Sequence, residues 1–166
     1  YKVTLVGGDT TSGQQLTITF SITGEVKSNS AITRARARPG DLLFVTGTIG
    51  DAAAGLSLIG DTNTLGEDEQ LLMERFSRPS ARIEVGQSLL DIASAAIDVS
   101  DGLFADTGKL LKASGVGGSI NVNQIPFSQS MTNLYSFEKR QEFALNGGDD
   151  YELLFAVPES GIEQLN

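Results

Sequence analysis

Aspartates standing next to glycines are the residues of this chain best suited to chemistry. They occur in three places: Gly7-Gly8-Asp9, Asp98-Val99-Ser100-Asp101-Gly102 and Gly147-Gly148-Asp149-Asp150. Each lies where a strand-like run begins or ends, beside a residue type that lets backbone approach a ligand closely. A hard cation such as magnesium takes oxygen ligands and is commonly held by one or two carboxylates plus phosphate oxygens. Loops converging on one edge of a sheet could supply such a set. Taken singly, each motif has an ordinary reading as a turn or a helix cap. Their joint occurrence points to a bound cation.

The composition removes the competing chemistries. With no His and no Cys, neither a Ser-His-Asp nor a Cys-His system can be built within the chain, nor a zinc site of the usual Cys/His kind. Carboxylates, Lys and Arg electrostatics and hard cations remain. A net charge of −9 and a pI near 4.4 set the surface against nucleic-acid phosphates. There is no G-x-x-x-x-G-K-[ST] loop and no G-x-G-x-x-G following a strand. Gly115-Val116-Gly117-Gly118 follows a helix-like run instead, and Ser136-Phe137-Glu138-Lys139 fits S-x-x-K without its companion motifs.

The segment around Asp98 is the most informative. A helix starting after Ser100 or Asp101 offers free N–H groups and a positive dipole end, which attract phosphate. The flanking aspartates repel phosphate unless a cation lies between them, so the two tendencies agree if a magnesium–phosphate unit binds there. Asp98 precedes the cap and is not needed by it. Arg34, Arg36 and Arg38 alternate and would share a face in extended chain, suited either to phosphate oxygens or to a solvated connector.

These residues need elements to position them. Tyr1 to Val6 reads as a strand, and Leu16, Ile18, Phe20 and Ile22 alternate with polar residues as a half-buried strand. Residues 31 to 40 read as an interdomain connector. Leu42 to Val45 reads as a strand buried on both faces, and Asp51 to Ile59, Glu67 to Phe76 and Ile83 to Ala95 as helices. Ala96 to Val99 reads as a strand, followed by a helix through Lys112 that Gly115 terminates. Ile120 and Val122 suggest a strand, and Tyr151 to Val157 another. This order suits an α/β chain built as an α+β sandwich, with helices on one side of a sheet. No stretch reaches the roughly eighteen apolar residues of a membrane helix. Both ends fall inside or just after strand-like runs, as expected of a chain cut at both ends, and a cytoplasmic setting is expected.

Several runs, in this order, resemble thiamine-monophosphate kinase: Leu5 to Thr11 (LVGGDTT), Thr33-Arg34, Pro39 to Leu56 (PGDLLFVTGTIGDAAAGL), Arg78 to Arg82 (RPSAR), Ala96 to Leu103 (AIDVSDGL) and Gly147 to Phe155 (GGDDYELLF). The resemblance implies an aminoimidazole ribonucleotide synthetase-like fold. Residues 1–36 would end an N-terminal domain that pairs in a homodimer, and residues 37–166 would form most of a C-terminal α/β domain. It implies transfer of the γ-phosphate of ATP to thiamine monophosphate with magnesium. By position, it implies that Gly8, Asp9, Arg34 and Ser100 contact ATP, that Asp9, Asp98 and Asp101 ligate magnesium, and that Asp149 stands where the family usually has a substrate-binding Glu.

Departures from the family pattern bear on these roles. Ala35-Arg36-Ala37-Arg38 replaces a glycine-bearing stretch, Ala81 a frequent Pro, and Asp149 is one methylene shorter than Glu. An upstream Gly-Asp-Asp-Ala magnesium loop is not in the chain, so residues 1–166 alone are expected to be inactive. The acceptor already carries an anionic oxygen, so no general base is assigned, and direct in-line transfer is the expected mechanism. Two other readings stand beside this one: a sister ATP-dependent enzyme of the same superfamily, and a non-catalytic metal- or nucleotide-binding module.

Overall fold

The computed structural model describes residues 3–60 and 64–165. Three short strands form one antiparallel sheet: β1 (Leu42–Val45), β2 (Ala95–Asp98) and β3 (Leu153–Val157), in the order β1-β3-β2. Leu43 faces Ala156 and Val45 faces Leu154 across one ladder, while Ala95 faces Ala156 and Ile97 faces Leu154 across the other. The period of two therefore places Leu43, Val45, Ala95, Ile97, Leu154 and Ala156 on one face. They pack there against Ile49, Leu103, Leu110, Ile125 and Ala144.

The helical layer on that face comprises α1 (Asp51–Ser57), α2 (Glu67–Ser77), α4 (Leu103–Ser114), α5 (Gln129–Leu134) and α6 (Phe137–Asn146). The opposite face is covered too, beyond the one-sided arrangement expected. Phe44, Phe155 and Val157 meet Leu89, Ile92 and Ala93, which follow the short α3 (Ile83–Ser88), together with Ile32 and Leu165. In α4, Leu103, Asp106, Thr107 and Leu110 fall on the buried side. Burying a leucine such as Leu110 contributes about 1.5–3 kcal/mol. The helix ends at Gly115, in the left-handed conformation at φ 69°, where the Val116 amide reaches back to the Leu111 carbonyl.

Several sequence expectations give way to tertiary context. Leu16, Ile18, Phe20 and Ile22 form no strand and remain 91%, 67%, 84% and 87% exposed. A strand needs a partner for its backbone groups, and none of the described residues pairs with this run. The same holds for Val3 to Val6, while Tyr1 and Lys2 lie outside the described residues. β1 is half-buried and at the sheet edge rather than buried on both faces. The helix expected through Ala95 stops at Ser88, because Asp91 turns to a positive φ of 68°. Ile120 and Val122 form no strand: the Asn121 side chain accepts from the Asn123 amide and starts a 3-10 turn over Val122–Gln124. The structure adds two helices to those expected, α5 and α6, and each begins with a serine cap. Ser128 accepts from the Met131 amide and Ser136 from the Lys139 amide. The S-x-x-K match is thus a helix start.

Candidate functional site

Because both outer strands run antiparallel to β3, the ends of β1 and β2 meet the beginning of β3 at one edge of the sheet. Three loops converge there: Thr46–Gly50, Val99–Gly102 and Gly147–Glu152. Backbone bonds extend the pairing past β2. The Val99 amide donates to Glu152 O at 2.8 Å, Tyr151 N to Val99 O at 2.9 Å, and Asp149 N to Ser100 O at 3.1 Å. The glycines make this approach possible. A Cβ on Gly148 would lie 2.0 Å from the Ser100 carbonyl oxygen, and Gly102, at φ +104°, packs against the Gly147 and Leu145 carbonyls. The sequence suggests room for a ligand at these glycines; the observed close approach at both is of backbone to backbone.

The lead-in to β3 presents its side chains to two sides. On one, the Tyr151 hydroxyl donates to Asp149 Oδ1 at 3.2 Å. That bond and the Asp149 charge raise the Tyr151 pKa, with further contributions from burial and from the charges of Asp98 and Asp101. The pairing of Asp98 with Leu153 and the bond from the Asp149 amide to Ser100 O bring Asp98, Asp101 and Asp149 to one end of the sheet, with Asp98 and Asp101 exposed. Asp149 and Tyr151 both take positive φ, 66° and 50°, a strained arrangement of the kind found at ligand-binding loops.

Asp106 shapes the Ser100-Asp101 turn. It is fully buried, and its Oδ2 accepts from the amides of Ser100 and Asp101, each at 2.9 Å. Lys109 bonds Asp106 Oδ1 at 2.7 Å and also pairs with Asp101. Its pKa is raised by Asp101 first and Asp106 second. Ser100 and Asp101 do not cap α4: its N-cap is Gly102, without a side-chain cap. The turn's amides are satisfied from inside the helix instead.

On the other side of the lead-in lie Asp150 and Glu152, both buried. Asp150 accepts from the amides of Gly50 at 2.7 Å and Ala52 at 3.1 Å. Burial pushes its pKa up to about 6, against the pull of those two amides. Glu152 accepts from Thr46 Oγ1 at 2.5 Å, Arg75 at 2.7 Å, and Arg82 through Nε at 2.6 Å and Nη2 at 2.5 Å. Burial alone would raise its pKa, yet Arg82, Thr46 and Arg75 hold it below the ordinary range.

Of the residues singled out from sequence, Asp98, Ser100, Asp101 and Asp149 share this sheet end. Gly8 and Asp9 do not join it. They lie on the exposed N-terminal run, where the Asp9 carboxylate accepts from the adjacent Thr10 amide at 2.8 Å. Arg34 is exposed, and its carbonyl accepts from Ser114 Oγ at 3.1 Å, at the opposite end of α4. Among the described residues, no group of three or more acidic side chains is placed to hold a metal ion.

Glu152, Arg75, Arg82, Asp106 and Tyr151 were not identified from the sequence as site-forming. A signal existed for two of them. Asp106 interrupts an apolar helical face between Leu103 and Leu110, and Glu152 stands directly before a continuous apolar strand; an acid in either setting needs partners.

Among the described residues, no helix is long and apolar enough to cross a membrane. The chain is 44% identical over 167 residues to a thiamine-monophosphate kinase of Haemophilus influenzae, covering 99% of this chain and 50% of the relative. It is 45% identical over 161 residues to the thiamine-monophosphate kinase of Escherichia coli K12, covering 96% and 49%. It thus spans about half the length of the curated relatives it matches. Among solved structures it is similar to the thiamine-monophosphate kinase from Stenotrophomonas maltophilia, with TM-score 0.79, 38% identity and coverage of 84% of this chain and 46% of that one. It is also similar to AaThiL complexed with AMPPCP and TMP, with TM-score 0.73, 38% identity and coverage of 81% and 44%. Residues 38–163 match the family described as AIR synthase related protein, C-terminal domain, and the chain belongs to that family.

Proposed function

We propose that this chain is part of an ATP-dependent kinase that phosphorylates thiamine monophosphate to thiamine diphosphate. The observation that carries the reading is the convergence of Asp98, Ser100, Asp101 and Asp149 on one sheet end. Its likeness to thiamine-monophosphate kinases, one of them holding AMPPCP and TMP together, supports it. Residues 1–36 would belong to an N-terminal domain and residues 37–166 to the C-terminal one, in a cytoplasmic homodimer.

In this reading Asp98 and Asp101 hold magnesium, with Asp9 joining from the N-terminal domain. Gly8, Asp9, Arg34 and Ser100 contact ATP, and Asp149 contacts the acceptor. Bound magnesium would supply charge neutralisation between two anionic substrates. The protein's own work is positioning. Asp106 fixes the Ser100-Asp101 turn, Lys109 gives up part of its pairing with Asp101 to the incoming cation, and Tyr151 holds the Asp149 carboxylate in place. No side chain need abstract a proton, since the acceptor oxygen is already anionic, and phosphoryl transfer in line depends mostly on orientation and electrostatics.

The test replaces Asp98 or Asp101 by Asn in the full-length enzyme and measures thiamine diphosphate formation at saturating magnesium. Turnover should fall at least a hundredfold while the circular dichroism spectrum is retained. Wild-type turnover in either variant removes the metal role.

A further inference from the structure

A cavity of about 440 Å³ opens between α1, α2 and the connector from α2 to α3. Arg75, Arg78 and Arg82 all line it, together with Thr48, Ser80 and Ser128. The chain has 12 basic residues against 21 acidic ones, so three arginines at one cavity wall are a concentration of its scarce cations. The cavity lies on the Glu152 side of the β3 lead-in, and the acidic cluster lies on the Tyr151 side.

Two of the arginines are braced from behind. Glu152 takes one N–H from Arg75 and two from Arg82. A guanidinium carries five N–H donors, so both keep donors beyond those spent on Glu152. Bracing against a buried carboxylate also fixes their planes, which lowers the cost of ordering them around a ligand. Arg78 makes no ion pair with any described residue, and Pro79 follows it. The carboxylates at the same wall are Asp51 and Glu74. Asp51 is buried, accepts hydroxyls from Thr48 and Ser128, each at 2.6 Å, and lies 3.7 Å from Arg75 Nε. With Glu152 counted, three carboxylates stand against the three arginines, and Arg78 is the arginine of this wall whose charge none of them pairs.

We propose that this cavity is a phosphate-binding site, separate from the acidic cluster and independent of magnesium. Guanidinium forks match paired phosphate oxygens, and here the arginines supply the charge that the acidic side would have to obtain from a cation. The ligand class is a phosphate monoester or an inorganic phosphate or diphosphate. This inference does not depend on the kinase reading above.

The test titrates the intact full-length protein, in EDTA, with inorganic phosphate, inorganic diphosphate and thiamine monophosphate by calorimetry. At least one should bind, and Arg78→Ala should weaken that binding about tenfold, the effect of losing a charge-assisted hydrogen bond, with the ligand-free melting temperature unchanged. Weakening confined to thiamine monophosphate identifies the acceptor's phosphate as the occupant. Weakening for the inorganic ions identifies a site for free anion. Asp98→Asn should leave this metal-free binding intact, so wild-type turnover in that variant would remove the proposed metal role without touching this site, and loss of its turnover with anion binding retained would keep the two readings apart. Absence of binding by all three anions, or equal binding by wild type and Arg78→Ala, overturns the proposal.

Discussion

Removing the Asp106 carboxylate isolates the device that shapes the Ser100-Asp101 turn. Its Oδ2 is the acceptor for two backbone amides, those of Ser100 and Asp101. In Asp106→Ala both amides lose their partner, and a buried donor left unsatisfied costs about 1–3 kcal/mol. Asp101 is exposed and Ser100 half-buried, so water can reach part of the opened turn. The loss should therefore sit near the lower end, about 2–3 kcal/mol in all. Asp106→Asn separates acceptor from charge. Both amides converge on a single oxygen, which the asparagine carbonyl can replace; its NH₂ group then faces Lys109, where a carboxylate oxygen stood. The asparagine variant should be less destabilised than the alanine variant, by about 1 kcal/mol or more. Urea denaturation of the wild type and the two variants at pH 7, analysed with a common m-value, gives both numbers. An alanine variant within about 0.5 kcal/mol of wild type, the usual range for unimportant substitutions, would show that Asp106 does not organise the turn. Equal losses in the two variants would show that its charge, rather than its acceptor oxygen, does the organising.

Two further outcomes follow from the same sheet end. Gly148→Ala would force a Cβ to within 2.0 Å of the Ser100 carbonyl; it should destabilise the protein by more than 2 kcal/mol, the scale of an overpacking or backbone clash, and a thermal melt superimposable on wild type would contradict the close approach. Asp150, with a folded pKa pushed up from 3.8 to about 6, retains between those pH values a proton that the unfolded chain has lost, so its contribution to stability is fully present below about pH 4 and is lost as pH rises through 6. The difference in unfolding free energy between wild type and Asp150→Asn, followed from pH 4 to pH 7, should fall on this account and then flatten; a flat difference throughout would refute the buried-acid assignment.

Local chemistry was legible where one short signal decided the outcome. The left-handed stop at Gly115, the apolar runs of β1 and β3, and the helices beginning at Asp51 and Glu67 all fall where residue types place them. The aspartates of the sheet end were legible because the acid-beside-glycine motif recurs in a chain with no His or Cys to compete with it. What was hidden depends on contacts distant in sequence. Arg75 and Arg82 meet Glu152 across 77 and 70 positions, and nothing in the local pattern pairs them. The alternation of Leu16, Ile18, Phe20 and Ile22 is as regular as that of any strand in the chain, yet alternation states only that one face is apolar, not where its partner is.

The two left-handed residues around Asp150 connect these observations. Asp149 and Tyr151 adopt positive φ without being glycine, at a cost of about 1–3 kcal/mol each. Such a cost persists only where surrounding bonds over-determine the backbone, and here they do. The amides of Asp149 and Tyr151 are fixed to Ser100 and Val99, Asp150 to Gly50 and Ala52, and Glu152 to Thr46 and two arginines. The consequence is that four successive residues send their side chains to two different environments: Asp149 and Tyr151 toward the exposed aspartates, Asp150 and Glu152 toward the buried start of α1 and the arginines. An ordinary extended entry to β3 would also alternate. It would not, however, keep Asp149 within reach of the Tyr151 hydroxyl while Gly148 lies against Ser100. The strain therefore sits in a segment whose side chains meet the exposed aspartates on one side and the arginines on the other.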